Sequence, residues 1–490
     1  MYRLNTIIKR SGLVLAVSIA IAACESTPNL TVAEYQANVS SDIGSKLANK
    51  LTAKIDKEQN LLSHARRYPK DTTALHELFQ MRVARFEKTD KIIDLESALE
   101  TIELLFEKQP NHQDVVFQYY RLNLIQSFAT GTFDYQYWQS FYQRYSFFKT
   151  IDLAPPAYLD YIIHKDEIDQ GNKTKKRLLE VIQSNPSFVS GYKDLATKFA
   201  EEQNYAMSLY LYDKANKLSP NSQDILALYN AVRMNYAWDH MCTANVEPQV
   251  ALAFEDYKQL TRQQPKNADF HHDMSMAARI LGKNSLSKFS SKKASTLDKL
   301  YLNNLLQAYL WSDNKENIEN VIAEIPQEQL EASDLFVQLM AHITHKDWQA
   351  VTDDLALYVT KDKIEFYGVL YGAYAHKMLG NVDLFNLTLD SGLKNVEIND
   401  WHQKMLAYAQ GSIDHSELIS AAKNRCDVSE GEFISSLEAL AKGDEATFLE
   451  ALKKVKSQNV PLFYEYAAAE NMLKRYSDTQ PNTTSTISGR

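Results

Sequence analysis

Four places in this chain of 490 residues bring together residue types that can do chemistry, and each lacks a necessary group. His76-Glu77-Leu78-Phe79-Gln80 starts as a zinc-binding helical turn would, but Gln80 stands where the second imidazole is needed, so no two histidines one turn apart can share a metal. Ser285-Leu286-Ser287-Lys288 has the spacing of a lysine-activated serine nucleophile, yet it lies in a Ser/Lys-rich stretch with no SDN or KTG segment to complete it. Gly171-Asn172-Lys173-Thr174 matches the end of a phosphate loop, but Asp166 fills the earlier glycine position, and the plainer reading is a turn between two helices. His271 and His272, with His240 and Cys242, fall on neighbouring elements, but adjacent histidines leave a helix on different sides and the spacing is irregular. No catalytic residue, metal ligand or cofactor is therefore expected.

What remains is the chemistry of cysteine. The first 23 residues carry Arg3, Lys9 and Arg10 and then an uncharged apolar run from Leu13 to Ala23, the layout of an export signal and too short to span a bilayer as a mature helix. The run ends in Ile21-Ala22-Ala23-Cys24, which resembles the bacterial lipobox. That resemblance implies a signal peptide over 1–23, a lipidated thiol at Cys24 bearing acyl chains such as palmitate, and a short tether over 24–30. Glu25 after the cysteine implies sorting to the outer membrane of a Gram-negative cell, with periplasmic or surface-exposed orientation left open. Each buried CH₂ of the acyl chains contributes about 0.8 kcal/mol, enough together to hold the chain without a transmembrane helix. Cys242 and Cys426, far apart in sequence, are left free or paired, and without a CxxC they make no structural zinc site.

The elements that would position such groups are helical. Gly 14 and Pro 12 are few for this length, and Leu, Ala, Lys, Glu and Tyr abound. Losing Arg3, Lys9 and Arg10 with the signal takes the formal charge from −9 to −12, which argues against nucleic acid as a partner.

Pro186 and Pro220 are separated by the length of one helix hairpin, and each comes after one amphipathic helix and before another. The segment Val189 to Ser222 places Tyr192, Leu195, Ala196 and Phe199 on a first helix and Tyr205, Ser208, Tyr212, Ala215, Leu218 and Pro220 on or just after a second. In this it resembles the tetratricopeptide repeat (TPR) family, whose antiparallel helices approach at small residues and fill the seam with large ones. Pro220 to Pro265 spans one repeat plus an excess near Trp238 to Val246, and Pro110 to Pro186 spans two repeats and a shorter excess. Further on, Leu297 to Leu310, Leu335 to Ile343, Trp348 to Val359, Phe366 to Leu379 and Trp401 to Ala409 are helical in period. Glu432 to Leu473 resembles the closing repeat of envelope lipoproteins of the NlpI type. The expected architecture is an all-α, TPR-like solenoid: a capping helix over 31–69, an N-terminal array over 70–290, a C-terminal array with capping helix over 291–476, and a solvated tail over 477–490.

Binding rather than catalysis is what such an array implies, through a concave surface formed by first helices. Lys193, Thr197 and Glu201 are expected to face it; peptide-carboxylate-binding TPR domains pair such a lysine with Asn, from which Thr197 departs. Phe133 to Phe148 is unusually aromatic. Trp138, Phe141, Tyr142, Tyr145 and Phe148 follow one helical stripe and are expected in the core, while Tyr135, Tyr137 and Phe147 fall off it and are candidates for a partner surface. The expected function is a membrane-anchored scaffold for envelope proteins or peptides, such as assembly factors, peptidoglycan hydrolases or a protease. The alternatives are a glycan-handling export lipoprotein, suggested by the 28 tyrosines, and a periplasmic hydrolase.

Overall fold

The computed structural model describes residues 56–163, 172–220, 222–394 and 396–479, and all regular structure among them is helical. Contacts divide the chain into two compact units, one taking residues up to Glu202 with Lys217–Ser219, the other Gln203–Asn216 with everything from Pro220 onward.

The first unit begins with α1 (56–67) and continues with α2 (Thr73–Thr89), α3 (Ile92–Lys108), α4 (Gln113–Thr130), α5 (Tyr135–Arg144), a 3₁₀ turn (Ser146–Thr150), α6 (Pro156–Ile163), α7 (Asn172–Ser184) and α8 (Val189–Glu201). On α3 the residues Leu95, Ala98, Leu99, Ile102 and Leu105 form one stripe at helical spacing, buried with Leu75, Phe79 and Phe86 of α2. The aromatic segment departs from the expected single helix. Its chain extends at Tyr145 (φ −113°, ψ 96°) and re-enters the core through the 3₁₀ turn, which is how Phe148 becomes buried while Tyr145 stays half-buried. Four interactions hold that detour: the Tyr142 hydroxyl donates to Phe148 O at 3.1 Å, and the buried Asn185 amide donates to Leu153 O at 2.8 Å and to Ile151 O and Phe148 O, each at 3.1 Å.

The second unit comprises α9 (Tyr205–Leu218), α10 (Gln223–His240), α11 (Glu247–Gln263), α12 (Ala268–Ile280), α13 (Asn284–Leu297), a 3₁₀ turn (Lys299–Tyr301), α14 (Leu302–Trp311), α15 (Lys315–Ala323), α16 (Ala332–Thr344), α17 (Trp348–Tyr358), α18 (Phe366–Met378), α19 (Val382–Gly392), α20 (Asp400–Ala409), α21 (His415–Ala421), α22 (Arg425–Ala441), α23 (Glu445–Ser457) and α24 (Tyr464–Thr479). From α12 onward these pair as hairpins with one repeated turn. A left-handed residue, Gly282, Asp313, Lys346, Gly380, Gly411 or Gly443, ends each first helix, and the intervals between successive ones are nearly even. An Asn or Asp then caps most second helices: Asn314, Asn381, Asp414 and Asp444 each accept a backbone N–H three residues on. The fold is thus all-α and TPR-like, and from α12 onward backbone turns, more than side-chain motif, set the repeat.

Several boundaries differ from the sequence reading. The expected helix Leu297 to Leu310 is broken because Asp298 accepts Leu300 N–H at 2.9 Å and starts a new turn. The boundary drawn at 290/291 falls inside α13, a helix that the reading missed because its buried face is Ser287, Ser290, Ser291 and Ala294. Leu218, assigned to the seam, is 43% exposed, since α9 ends there. The expected tail begins too early, α24 continuing to Thr479. Of the capping helix expected over 31–69, 56–67 is helical and ends before Tyr68-Pro69; residues 31–55 lie outside the described residues, as do 1–30, Ile21 to Cys24 among them.

Candidate functional site

In a helical array the candidate site is the face that first helices leave open, and the second unit closes much of this face with its own C-terminus. After α23 the chain turns through Asn459 (φ 52°) and lays α24 against α14, α16 and α22. Pro461 O accepts the Trp311 indole N–H at 2.7 Å, and Tyr464 packs edge-on to Trp311 and Phe336 while its hydroxyl accepts from Gln307 at 2.9 Å. Farther along, Asn471 donates to Leu310 O at 2.7 Å and Arg475 pairs with Asp313 at 2.7 Å. These residues read the ends of α14, where the last carbonyls of a helix lack intrahelical partners. The closing helix thus occupies the face that these first helices would otherwise leave open.

A second polar group is buried beneath. Glu430 of α22 accepts from the Tyr367 hydroxyl of α18 and the Trp401 indole of α20, each at 2.7 Å, and Glu465 of α24 accepts from the Tyr371 hydroxyl at 2.8 Å. Burial, then the neighbouring Glu465 charge, pushes the Glu430 carboxyl up to about 8, so near neutral pH it holds a proton and binds its partners as a neutral acid. His342 of α16 is the cationic counterpart, between Asp354 at 2.5 Å and Glu319 at 2.9 Å; burial opposes its charge, but the two carboxylates together raise its pKa. Both groups are tied to helices on every side.

Cys242 and Cys426 form a disulfide. Cys242 lies just after α10, in the excess that the proline spacing located, and Cys426 begins α22; alongside, Arg425 donates to Met241 O and to Ala244 O, the latter at 2.7 Å. The sequence left the pairing open because 184 residues of separation say nothing of where a winding array returns. Near this closure a cavity of about 250 Å³ is lined in part by Arg279, Trp311, Arg425 and Tyr466. Arg279 is fully buried over the Trp311 ring at 4.8 Å, and burial pulls its pKa down to about 10, so it stays charged while donating to Gln307 and Asn304.

The predicted contact residues separate. Lys193 is buried, so it does not stand in an open groove. Thr197 is half-buried with its hydroxyl donating to Lys193 O at 3.0 Å, and the exposed Glu201 pairs with Lys198 at 3.0 Å. Of the repeat-packing set, Leu195, Ala196, Ser208, Tyr212 and Ala215 are buried, Tyr192 and Phe199 half-buried, and Pro220 exposed. In the aromatic segment Trp138, Phe141, Tyr142 and Phe148 are core. Tyr135 is half-buried with the Arg177 guanidinium 5.5 Å from its ring centroid, and Phe147 is half-buried against Phe148; Tyr137 alone of the three is largely open, 49% exposed, with its ring edge-on to Trp138.

The histidines and the cysteine singled out for chemistry are otherwise engaged. His76 hydrogen-bonds Gln109 at 2.8 Å, His271 contacts Pro265 O at 3.0 Å, His272 stacks on Tyr301, and the Cys242 sulfur is in the disulfide. Asp166 and Gly171 of the phosphate-loop echo lie outside the described residues. Among the described residues no group of three or more His, Cys, Asp or Glu side chains is placed to hold a metal. No protein-family model matches the chain, and no curated protein does. Among solved structures it is similar to the TPR domain of P58(IPK), at 10% identity over 90% of this chain and 99% of that one, with a TM-score of 0.26, and the fold rests on the helix hairpins described above and not on so loose a likeness.

Proposed function

We propose that this chain is a membrane-tethered scaffold that binds other cell-envelope proteins and performs no chemistry of its own. The observation that carries it is the stacking of helix hairpins at nearly evenly spaced left-handed turns, an architecture that presents long faces of successive helices. The tether rests on Ile21-Ala22-Ala23-Cys24 after the apolar run, which supports lipidation of Cys24 and placement at the outer membrane. Because α24 covers the faces of α14 and α16, the partner surface proposed lies in the first unit, around Tyr137.

Crosslinking in cells followed by identification of captured proteins tests the scaffold. Recovery of the same envelope proteins with the parent chain, reduced by exchange of Tyr137, is the expected result; capture of lipid-linked glycan and no protein would favour a glycan-handling role. The tether is tested separately: Cys24→Ser should leave an uncleaved or mislocalised precursor, and detergent-phase partitioning at the parent level would rule lipidation out.

A further inference from the structure

Helix α13 is amphipathic in the reverse of the usual sense. Its inner face is made of Ser287, Ser290, Ser291 and Ala294, all fully buried, and two of the serines bond α12: Ser275 Oγ meets Ser287 Oγ at 3.0 Å and Ser291 Oγ at 2.5 Å. Small side chains there let α12 and α13 approach closely, so the packing needs no large apolar residue from α13. The large ones point outward instead. Leu286 is 42% exposed, Phe289 67% and, just past the helix, Leu300 75%. Leu286, Phe289 and Lys293 follow one another at spacings of three and four, which puts them on one side of the helix.

The charge on that side is equally unusual. Residues 283–300 contain Lys283, Lys288, Lys292, Lys293 and Lys299 against the single acid Asp298, in a chain of net charge −9. Some lysines elsewhere in the unit are paired: Lys258 of α11 holds Glu255 at 2.7 Å and Lys315 of α15 holds Asp347 at 3.0 Å. The five lysines of this segment make no ion pair among the described residues, and Lys283, Lys292, Lys293 and Lys299 are exposed.

We propose that the outer face of α13 with the following turn is a docking surface for an anionic phospholipid bilayer. Exposed Phe and Leu side chains enter the boundary between headgroups and acyl chains, while the lysines, apolar along their stems and charged at their ends, reach the phosphates. A polyanion in water has no use for three exposed apolar side chains, and a purely apolar partner has none for the exposed Lys292, Lys293 and Lys299, while Lys283 lies over the Phe254 ring at 5.3 Å; the combination fits a surface that is anionic outside and hydrocarbon within. The site is independent of lipidation at Cys24, since it lies far along the chain from that residue and is built by α12, α13 and the turn that follows.

The test uses the full chain carrying Phe289→Trp, an exchange at an exposed position that should leave melting unchanged, with the parent emission subtracted. Vesicles of phosphatidylcholine with and without phosphatidylglycerol are prepared with bromine in the acyl chains, which quenches an indole only when it enters the hydrocarbon boundary. Quenching on the anionic vesicles alone is expected, lost at about 1 M salt, where the screening length falls to about 3 Å. Lys292→Glu with Lys293→Glu should weaken the partitioning by about tenfold or more. Absence of quenching on anionic vesicles, equal quenching on neutral ones, or insensitivity to the double lysine exchange overturns the proposal. So does binding of polyglutamate or duplex DNA at the same concentrations with no quenching by lipid. None of these outcomes touches the scaffold reading, which is decided by protein capture.

Discussion

The first unit is held by local aromatic packing, the second by returns of the chain over long distances. In the first, Tyr120, Trp138, Phe141, Tyr142 and Phe148 meet within a short stretch of sequence, and Tyr120 O–H reaches Ala154 O at 3.0 Å. In the second, Trp311 bonds Pro461, Tyr371 bonds Glu465, and Cys242 joins Cys426. Local packing lets one part open without the rest; long returns couple the last helix to hairpins placed far earlier. The units should therefore differ less in the cost of one lost side chain than in how far the damage spreads.

The largest effect should come from two tryptophan truncations. Trp138→Ala and Trp311→Ala each remove a buried aromatic, at a cost of about 3 to 5 kcal/mol. Hydrogen exchange separates them. Trp138→Ala should speed exchange in α4, α5 and the 3₁₀ turn, whereas Trp311→Ala leaves Pro461 O unpaired and should loosen α14, α16 and α24 together. Equal spreading in both would erase the distinction between the units.

Next is the disulfide. A bond across 184 residues constrains the unfolded chain strongly, and its loss typically costs about 2 to 4 kcal/mol. Cys242→Ser with Cys426→Ser, or reduction of the parent, should lower the melting of the second unit and leave the first unchanged, as read by the protection of α22 against that of α3. A chain whose melting ignores reductant would show that Arg425 and the packing around Met241 hold this closure without the bond.

The two buried titrating groups give the comparison a pH axis. Glu430 is raised above the ordinary carboxylate value in the folded state, so its stabilising contribution is fully present below about 4.5 and lost as pH rises toward about 8. His342, also raised, contributes below 6.5 and loses that contribution as pH climbs through its folded value. Both slopes have the same sign above neutrality. Asp427 faces Glu430 with like charge, and Glu465, itself raised by burial, titrates together with Glu430 and adds to the slope with the same sign, while Asp354, also raised by burial, still binds the imidazole. The melting temperature of the second unit should fall between pH 7 and 9, and Glu430→Gln, which keeps an acceptor for Tyr367 and Trp401, should flatten the fall. In the first unit burial holds Tyr120 and Tyr142 above the ordinary tyrosine value, so they stay neutral over this range. An unchanged slope in the Gln variant would place the sensitivity elsewhere.

How far these features could be read beforehand follows from the kind of signal each leaves. The helix-hairpin fold was legible because Pro186, Pro220 and Pro265 stop helices and apolar residues recur with helical period. The later repeats were less so, because their signature is a backbone state: Lys346 and Asp313 adopt the same left-handed turn as Gly380 and Gly443, and only the Asn or Asp that often follows betrays it. Helix α13 hid behind a serine face, and the closing position of α24 depends on the winding of the whole unit. Of the candidate contact residues, Tyr137 was placed correctly as off the core stripe, while Lys193 was not, because a lysine stem buries as readily as it projects.

The smallest expected effect on stability is at Tyr137, and it is the one that bears on the partner. Its ring rests on Trp138 and Phe141 but half its surface is open, so Tyr137→Ala should change stability by no more than about 0.5 kcal/mol. Tyr135 and Phe147 are half-buried, one against Ala157, Val181 and Phe188 and the other against Phe148, and their truncation should cost more, about 1 kcal/mol each. The order Tyr137, then Tyr135 and Phe147, then Trp138 is thus fixed by burial alone and is read by melting. Partner capture should rank them differently. If this face binds, Tyr137→Ala reduces recovery of the crosslinked protein while the fold is untouched, and Tyr135→Ala reduces it only as far as it unsettles the fold. If Tyr137→Ala leaves recovery at the parent level, the aromatic segment is wholly structural, and the partner must sit on another exposed stretch of the first unit, for which Ile92 and Ile93 at the start of α3 are the next apolar candidates.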